Sequence, residues 1–179
     1  LPVGRRNHTS VLSNGYVYVL GGNTGFPSLD TVSYARLNAD GSTSAWTTSG
    51  NLIPSVVSGH TSVVANGYVY IMSGSGTTAI YYAGLNDDGS IDPWVTNSSS
   101  SAFILSRASA VVANGYIYNI AGRFFTAPGD QWKVPWHHRI NNDGSIGPST
   151  TDFFSLSDLP VTMDGQASVY VNGYIYTIG

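Results

Sequence analysis

The fold is decided by a stretch at residues 60–72, which reads HTSVVANGYVYIM. It consists of two β-rich runs joined by Asn66 and Gly67. Asn-Gly is the strongest short-range signal of a β-hairpin, because a type I′ turn needs positive φ at both of its central residues. The stretch therefore predicts two antiparallel strands connected by a two-residue turn.

The same hairpin signal occurs four times along the chain. The pentapeptide Asn-Gly-Tyr-Val/Ile-Tyr begins at Asn14, Asn66, Asn114 and Asn172, with a period of about 50 residues. A second motif, ending in Asp-Gly-Ser, follows the first three copies at residues 38–42, 86–90 and 141–145. Two linked motifs at this spacing indicate a true internal repeat.

Each repeat is predicted to form four short strands. The Asn-Gly hairpin supplies the first two, a Tyr-rich run such as residues 80–85 supplies the third, and a short strand carrying Trp94 supplies the fourth. No segment has the spacing and caps of an amphipathic helix. A four-stranded antiparallel unit that repeats in this way is typical of a β-propeller blade.

The repeats divide the chain into three blades and half of a fourth, all within one partial propeller domain. The predicted boundaries are 1–52, 53–101, 102–158 and 159–179. Closed propellers usually have four to eight blades. We therefore expect the chain to belong to a longer chain or to an assembly.

The sequence resembles kelch-type repeats in its tight turn, its Tyr strand and its Tyr18-Val19-Leu20-Gly21-Gly22 element. This resemblance implies an all-β, kelch-like propeller of the superfamily that includes galactose-oxidase-like and sialic-acid-epimerase-like proteins. Only the first repeat keeps both glycines. Kelch-type repeats support many functions, so the resemblance predicts the fold more closely than the activity.

The composition excludes several classes of function. Charged residues make up only 9% and the net charge is −3, which argues against a nucleic-acid partner because such a protein needs a basic surface. The absence of Cys excludes thiolate zinc sites and cysteine nucleophiles. The apolar runs are too short to span a membrane. Low charge and abundant Ser, Thr and Asn favour a secreted or cell-surface protein.

The strand order places the loops on two opposite sides of the sheets. The Asn-Gly and Asp-Gly-Ser turns lie on one side, here called the turn face. The loops between second and third strands and the connections between repeats lie on the other side, here called the loop face, and they vary between repeats, as recognition loops do. The candidate ligand-binding residues on the loop face are Arg5, Arg6, Arg107, Arg123, Phe124, Phe125, Trp132 and Asp164.

Three other patterns have structural interpretations that we prefer. His137 and His138 are adjacent on a strand and point to opposite faces, so they are a poor metal site, and His137 replaces a Tyr of the other repeats. His8 and His60 share a repeat position and are expected to hydrogen-bond within their own blade. The Asp-Gly-Ser motifs resemble calcium loops but lack the late Glu ligand, which favours a capped hairpin turn.

Catalytic patterns are weak, because the acidic residues lie mostly in turns and do not pair as glycosidase carboxylates. The sequence therefore predicts a non-enzymatic binding or adhesion module without cofactor or metal, which recognises a glycan or protein ligand on the loop face. The alternative is a fragment of a glycan-active propeller enzyme, either sialidase-like or sialic-acid epimerase-like.

Overall fold

The computed structural model describes residues 1–74, 77–100, 105–124, 135–147 and 158–179. All regular elements in these ranges are β-strands, and the ranges contain no helix. The predicted all-β class is therefore confirmed. No helix in the described ranges has the length and apolar character required to cross a membrane.

The first two repeats each form a complete four-stranded antiparallel sheet with its strands in chain order. The first sheet contains β1 (Thr9–Ser13), β2 (Tyr16–Leu20), β3 (Val32–Arg36) and β4 (Thr47–Thr48). The second sheet contains β5 (Thr61–Ala65), β6 (Tyr68–Met72), β7 (Ala79–Gly84) and β8 (Val95–Ser100).

The later repeats follow the same order. A two-stranded ribbon pairs β9 (Leu105–Ser106) with β12 (Arg123–Phe124). The third sheet contains β10 (Ser109–Ala113), β11 (Tyr116–Ile120) and β13 (Trp136–Arg139). The fourth sheet is the hairpin of β14 (Ala167–Val171) and β15 (Tyr174–Ile178).

The Asn-Gly turns have the predicted conformation. Both turn residues have positive φ in all four hairpins, for example 51° at Asn66 and 81° at Gly67. These angles set the hairpin register, so that Ala65 pairs with Tyr68 and Thr61 with Met72.

The core lies between successive sheets. Tyr18 and Leu20 of the first sheet pack with Val69 and Ile71 of the second, and an equivalent cluster joins the second sheet to the third. The innermost strands β1, β5, β10 and β14 are neighbours in that order. Each sheet is therefore covered by its neighbours in sequence, as blades are in a propeller.

The position of the tryptophans differs from the prediction. Trp94 lies just before β8 and not within it, and Trp46 likewise precedes β4. The Trp94 side chain packs on the core between the first and second sheets, and its Nε1 donates to the Asn51 carbonyl at 3.3 Å. The partly buried ring thus lies at the junction between the sheets, and the residue stands outside the strand ladder.

Candidate functional site

A backbone ladder joins the repeats on the loop face. It runs through Asn7, Gly59, Arg107 and Gly165, which occupy the same repeat position and have φ values of 54°, 62°, 58° and 74°. The amide of each donates to the carbonyl of the one before, at N···O distances of 2.9, 2.8 and 2.9 Å. This ladder fixes the backbone at Arg107 between the second and fourth repeats.

Arg107 is an unusual residue for its position. A left-handed backbone disfavours residues with a Cβ by about 1–2 kcal/mol, and two of the four equivalent positions carry Gly. The Arg107 side chain extends from the ladder towards Asp164 of the next repeat.

Two arginines converge on one carboxylate at this point. Arg107 Nη1 lies 3.7 Å and Arg123 Nε 3.9 Å from Asp164 Oδ2. The Arg107 side chain is 55% exposed and that of Arg123 is 42% exposed. The Asp164 side chain is only 18% exposed, whereas both guanidinium groups stay partly accessible, and their planar fork suits an incoming carboxylate.

The other predicted arginines lie together at the first repeat but have different roles. Arg5 Nη1 donates to the carbonyls of Gly21 and Thr31 at 3.1 and 3.2 Å, and burial lowers the pKa of its guanidinium. Arg5 therefore ties the N-terminal segment to the first sheet, and its role in ligand binding stays a prediction.

Arg6 remains a candidate, because it is exposed and borders a cleft. Its Nε donates to Asn23 Oδ1 at 3.1 Å. The two residues, together with Gly4, Arg5, Thr24 and Gly25, line a shallow cleft of about 320 Å³. Its lining includes two arginines and the polar side chains of Asn23 and Thr24, so the cleft suits a polar, anionic ligand.

The predicted aromatic residues are not tested. Phe124 contributes its backbone to β12, whereas Phe125 and Trp132 lie outside the described residues. Their role in ligand binding stays a prediction.

Alignment of the repeats shows which residues occupy equivalent positions on the loop face, and single residues do not show this. Asp164 occupies the position of Arg6, Ser58 and Ser106, and Arg123 occupies that of Asn23. Arg6 and Asn23 form one β-bridge, and Ser106 and Arg123 form the matching pair of the third repeat. Alignment of the repeats by column brings Ser58 and Ser106 into the candidate surface.

The histidine predictions are partly corrected. His60 Nε2 lies 2.8 Å from Thr9 Oγ1, so its hydrogen bond joins two sheets and does not stay within one blade. Its counterpart His8 is exposed. His137 packs between Tyr116 and Tyr118, with ring centroids 5.2 and 5.6 Å away, as the Tyr it replaces does in other repeats.

His138 faces the opposite side from His137 and is fully buried. Burial lowers its pKa to about 4. Within the ranges that the structure describes, no three His, Cys, Asp or Glu side chains are grouped as metal ligands.

The Asp-Gly-Ser motifs form capped turns. In the second repeat, Asp88 Oδ1 accepts hydrogen bonds from Ser90 N at 2.8 Å and from Ser90 Oγ at 2.6 Å, and Gly89 has a φ of 86°. The same bonds occur at residues 38–42 and 141–145. Both bonds lower the pKa of each Asp. The hydrogen bond from the Ser hydroxyl has the larger effect, and the one from the Ser amide has the smaller. The turn interpretation is confirmed.

No protein-family model and no curated protein matches the chain. Among solved structures, the chain is similar to one described as "Structure of YjhT", with a TM-score of 0.68 and 14% sequence identity. The match covers 97% of this chain and 58% of that one. At this identity the likeness establishes the fold alone, an all-β propeller-type arrangement of four-stranded antiparallel sheets.

Proposed function

We propose that this chain is a kelch-type binding module of a secreted or cell-surface protein, which recognises an acidic ligand, glycan or peptide, on its loop face without enzymatic turnover. The observation that carries the proposal is the convergence of Arg107 and Arg123 on Asp164. The chain has only 7 basic residues, and two of them meet here.

The geometry of these pairs favours exchange with a ligand. Both nitrogen–oxygen distances exceed 3.5 Å, whereas a charge-assisted hydrogen bond is about 2.7–2.9 Å long. A ligand carboxylate that approaches the exposed side of either guanidinium can form such shorter, forked bonds. Asp164 then holds the two arginines in place and limits their mutual repulsion.

The backbone of Arg107 supports the same conclusion. Its left-handed conformation disfavours any side chain, and sites that retain such strain are often functional. Glycine fills this position in the second and fourth repeats, so the ladder itself does not require an arginine.

We expect Arg107→Gly to weaken binding of an acidic ligand by about 5- to 150-fold, which corresponds to about 1–3 kcal/mol for a hot-spot residue. The variant restores the residue of Gly59 and Gly165, so the fold should be retained or stabilised. Titration by calorimetry with an oligosaccharide of uronic acids and with a poly-glutamate peptide, each beside an uncharged counterpart, measures the effect. Arg123→Gln and Trp132→Ala are expected to act in the same direction.

Arg36→Gln is the matched control, since it removes one positive charge from an exposed residue at the turn-face end of β3. Affinity should be unchanged in this variant. Equal losses of affinity in Arg36→Gln and Arg107→Gly would mean that net charge alone explains the effect. Full affinity in Arg107→Gly would refute the proposed site. Chemical alteration of the bound oligosaccharide would instead identify an enzyme.

A further inference from the structure

Three buried side chains with polar atoms lie where the third sheet faces the second. Asn119 of β11 and Trp136 and His138 of β13 are between 0% and 3% exposed. Asn119 and Trp136 are direct partners in the strand ladder, and His138 is the partner of Ile117, which packs against the second sheet. Ladder partners and alternate residues of one strand point to the same face of a sheet. All three side chains therefore point into the junction between the second and third sheets.

The equivalent positions of the second sheet, which face the first, are hydrophobic. In the order of Asn119, Trp136 and His138, they carry Ile71, Tyr81 and Ala83. These three residues belong to the cluster that joins the first two sheets. The packing of one sheet on the next therefore does not require polar groups at these positions, and their presence in the third sheet is a property of this repeat.

The polar atoms of this cluster are not all paired. Asn119 Nδ2 donates to Met72 Sδ at 2.8 Å. Among the residues that the structure describes, Asn119 Oδ1, Trp136 Nε1 and both ring nitrogens of His138 have no hydrogen-bond partner. A buried donor or acceptor without a partner destabilises the fold, and such groups are commonly bound to internal water.

Another amide in the same junction is fully paired. Asn97 Oδ1 accepts from Ile146 N at 3.0 Å, and its Nδ2 donates to the Ile146 carbonyl at 3.1 Å. The side chain of Asn97 is thus held by main-chain groups of the neighbouring repeat. This contrast separates Asn119 from a buried amide that the protein satisfies by itself.

The unpaired groups complement one another through a bridging water. Trp136 Nε1 can only donate and Asn119 Oδ1 can only accept, so one water between these ladder partners can accept from the first and donate to the second. Burial lowers the pKa of His138 to about 4, an effect that the Gly147 backbone partly offsets. The ring is therefore neutral near pH 7 and offers one further donor and one further acceptor.

We propose that the junction between the second and third sheets is an internal water site, formed by Asn119, Trp136 and His138. A buried water typically makes about two to four hydrogen bonds, and the unpaired atoms of this cluster supply them. Because the three side chains are almost completely buried, the water exchanges with solvent only when the two sheets separate locally. Water is then a structural part of this junction and not of the hydrophobic one before it.

Nuclear Overhauser measurements between water and the indole proton of Trp136 test the proposal in the full chain. A water that stays bound longer than the protein takes to tumble should give NOE and ROE signals of opposite sign at this proton, whereas proton exchange gives the same sign in both. Trp94 provides the internal control, because its Nε1 already donates to the Asn51 carbonyl and should show no bound water. Trp136→Phe removes the Trp136 signal and thereby assigns it.

Asn119→Leu tests the acceptor, since Leu has nearly the same shape as Asn and no polar atom. This variant should lose the water signal at Trp136. Ile71→Val, at the equivalent position of the hydrophobic junction, is the matched control and should keep it. The proposal is overturned if the unmodified chain shows no bound water at Trp136, if Asn119→Leu keeps the signal, or if Ile71→Val also loses it. It is also overturned if a crystal structure shows Trp136 Nε1 and Asn119 Oδ1 bonded to protein atoms only.

Discussion

At the scale of single residues, His60 shows how side chains between the sheets determine the response to pH. It is almost completely buried, it contacts Thr9 of the preceding sheet, and burial lowers its pKa to about 4. Gln166 makes the matching contact between the third and fourth sheets, where its Nε2 donates to Ser109 Oγ at 3.3 Å and to the Ile120 carbonyl at 2.6 Å. A neutral amide thus occupies the same position without a titrating group.

We expect the free energy of unfolding to decrease as the pH falls from about 6.5 to about 4. The unfolded chain binds protons at His60 and His138 over this range, whereas burial keeps both folded imidazoles neutral. Each group contributes about 3 kcal/mol to the loss, and below about pH 4 the two states bind protons alike. Urea denaturation at a series of pH values measures the slope.

His60→Gln is the control for this slope, because Gln166 shows that the position accepts an amide. The variant should lose about half of the pH dependence and keep its stability near neutral pH. An unchanged slope would show that His60 is accessible to protons in the folded state.

At the scale of elements, the glycine turns have two separable requirements. Gly41 and Gly89 have nearly the same φ, 82° and 86°, but only Gly89 lies against a tyrosine ring. The first requirement belongs to the turn itself and the second to the junction between sheets.

Substitution of these glycines by Ala should separate the requirement of the turn from the requirement of the junction between sheets. Gly41→Ala is expected to cost about 1 kcal/mol through the left-handed backbone alone. Gly89→Ala carries that cost and also forces its Cβ into Tyr16, which adds about 1–3 kcal/mol. Urea denaturation of both variants at concentrations where the chain is monomeric measures the difference. Equal losses would mean that the tyrosine moves aside at no cost.

The carboxylates of the same turns already have partners within the chain. Each Asp accepts two hydrogen bonds at Oδ1 from the Ser two residues later. We therefore expect excess EDTA to leave the melting temperature unchanged. A calcium site held at a hundred times its Kd would add about 2.7 kcal/mol, so a fall of several degrees in EDTA would contradict the structural role.

At the scale of the whole molecule, the hairpins could be predicted from the sequence, whereas the hydrogen-bond partners and the exposure of the arginine side chains could not. Asn-Gly at a fixed offset from Tyr leaves one turn type and one register, so local residues determine each hairpin. Arg5 and Arg6 are neighbours in sequence, yet carbonyls of Gly21 and Thr31 bind the first and leave the second exposed. Such partners come from distant residues, and the hairpin pattern does not reveal them.

The same limit applies to the site and to the junctions. Strand order alone separates the loop face, where residues differ between repeats, from the turn face, so this division could be predicted from the sequence. The meeting of Arg107, Arg123 and Asp164 depends on the third and fourth repeats lying side by side, and His60 finds its partner in the preceding sheet. Contacts between repeats become visible in a sequence only when the copies are aligned by column.

The backbone ladder through Asn7, Gly59, Arg107 and Gly165 bears on how such a molecule can evolve. Its hydrogen bonds run from main chain to main chain, so they hold successive repeats together with Asn, Gly or Arg at the position. A duplicated repeat therefore inherits its attachment intact, while the residue at the ladder stays open to selection. An arginine in one copy beside glycine in two others is such a divergence. New binding specificity can therefore arise at this surface by substitution in one repeat at a time, while the hydrogen bonds between the repeats stay the same.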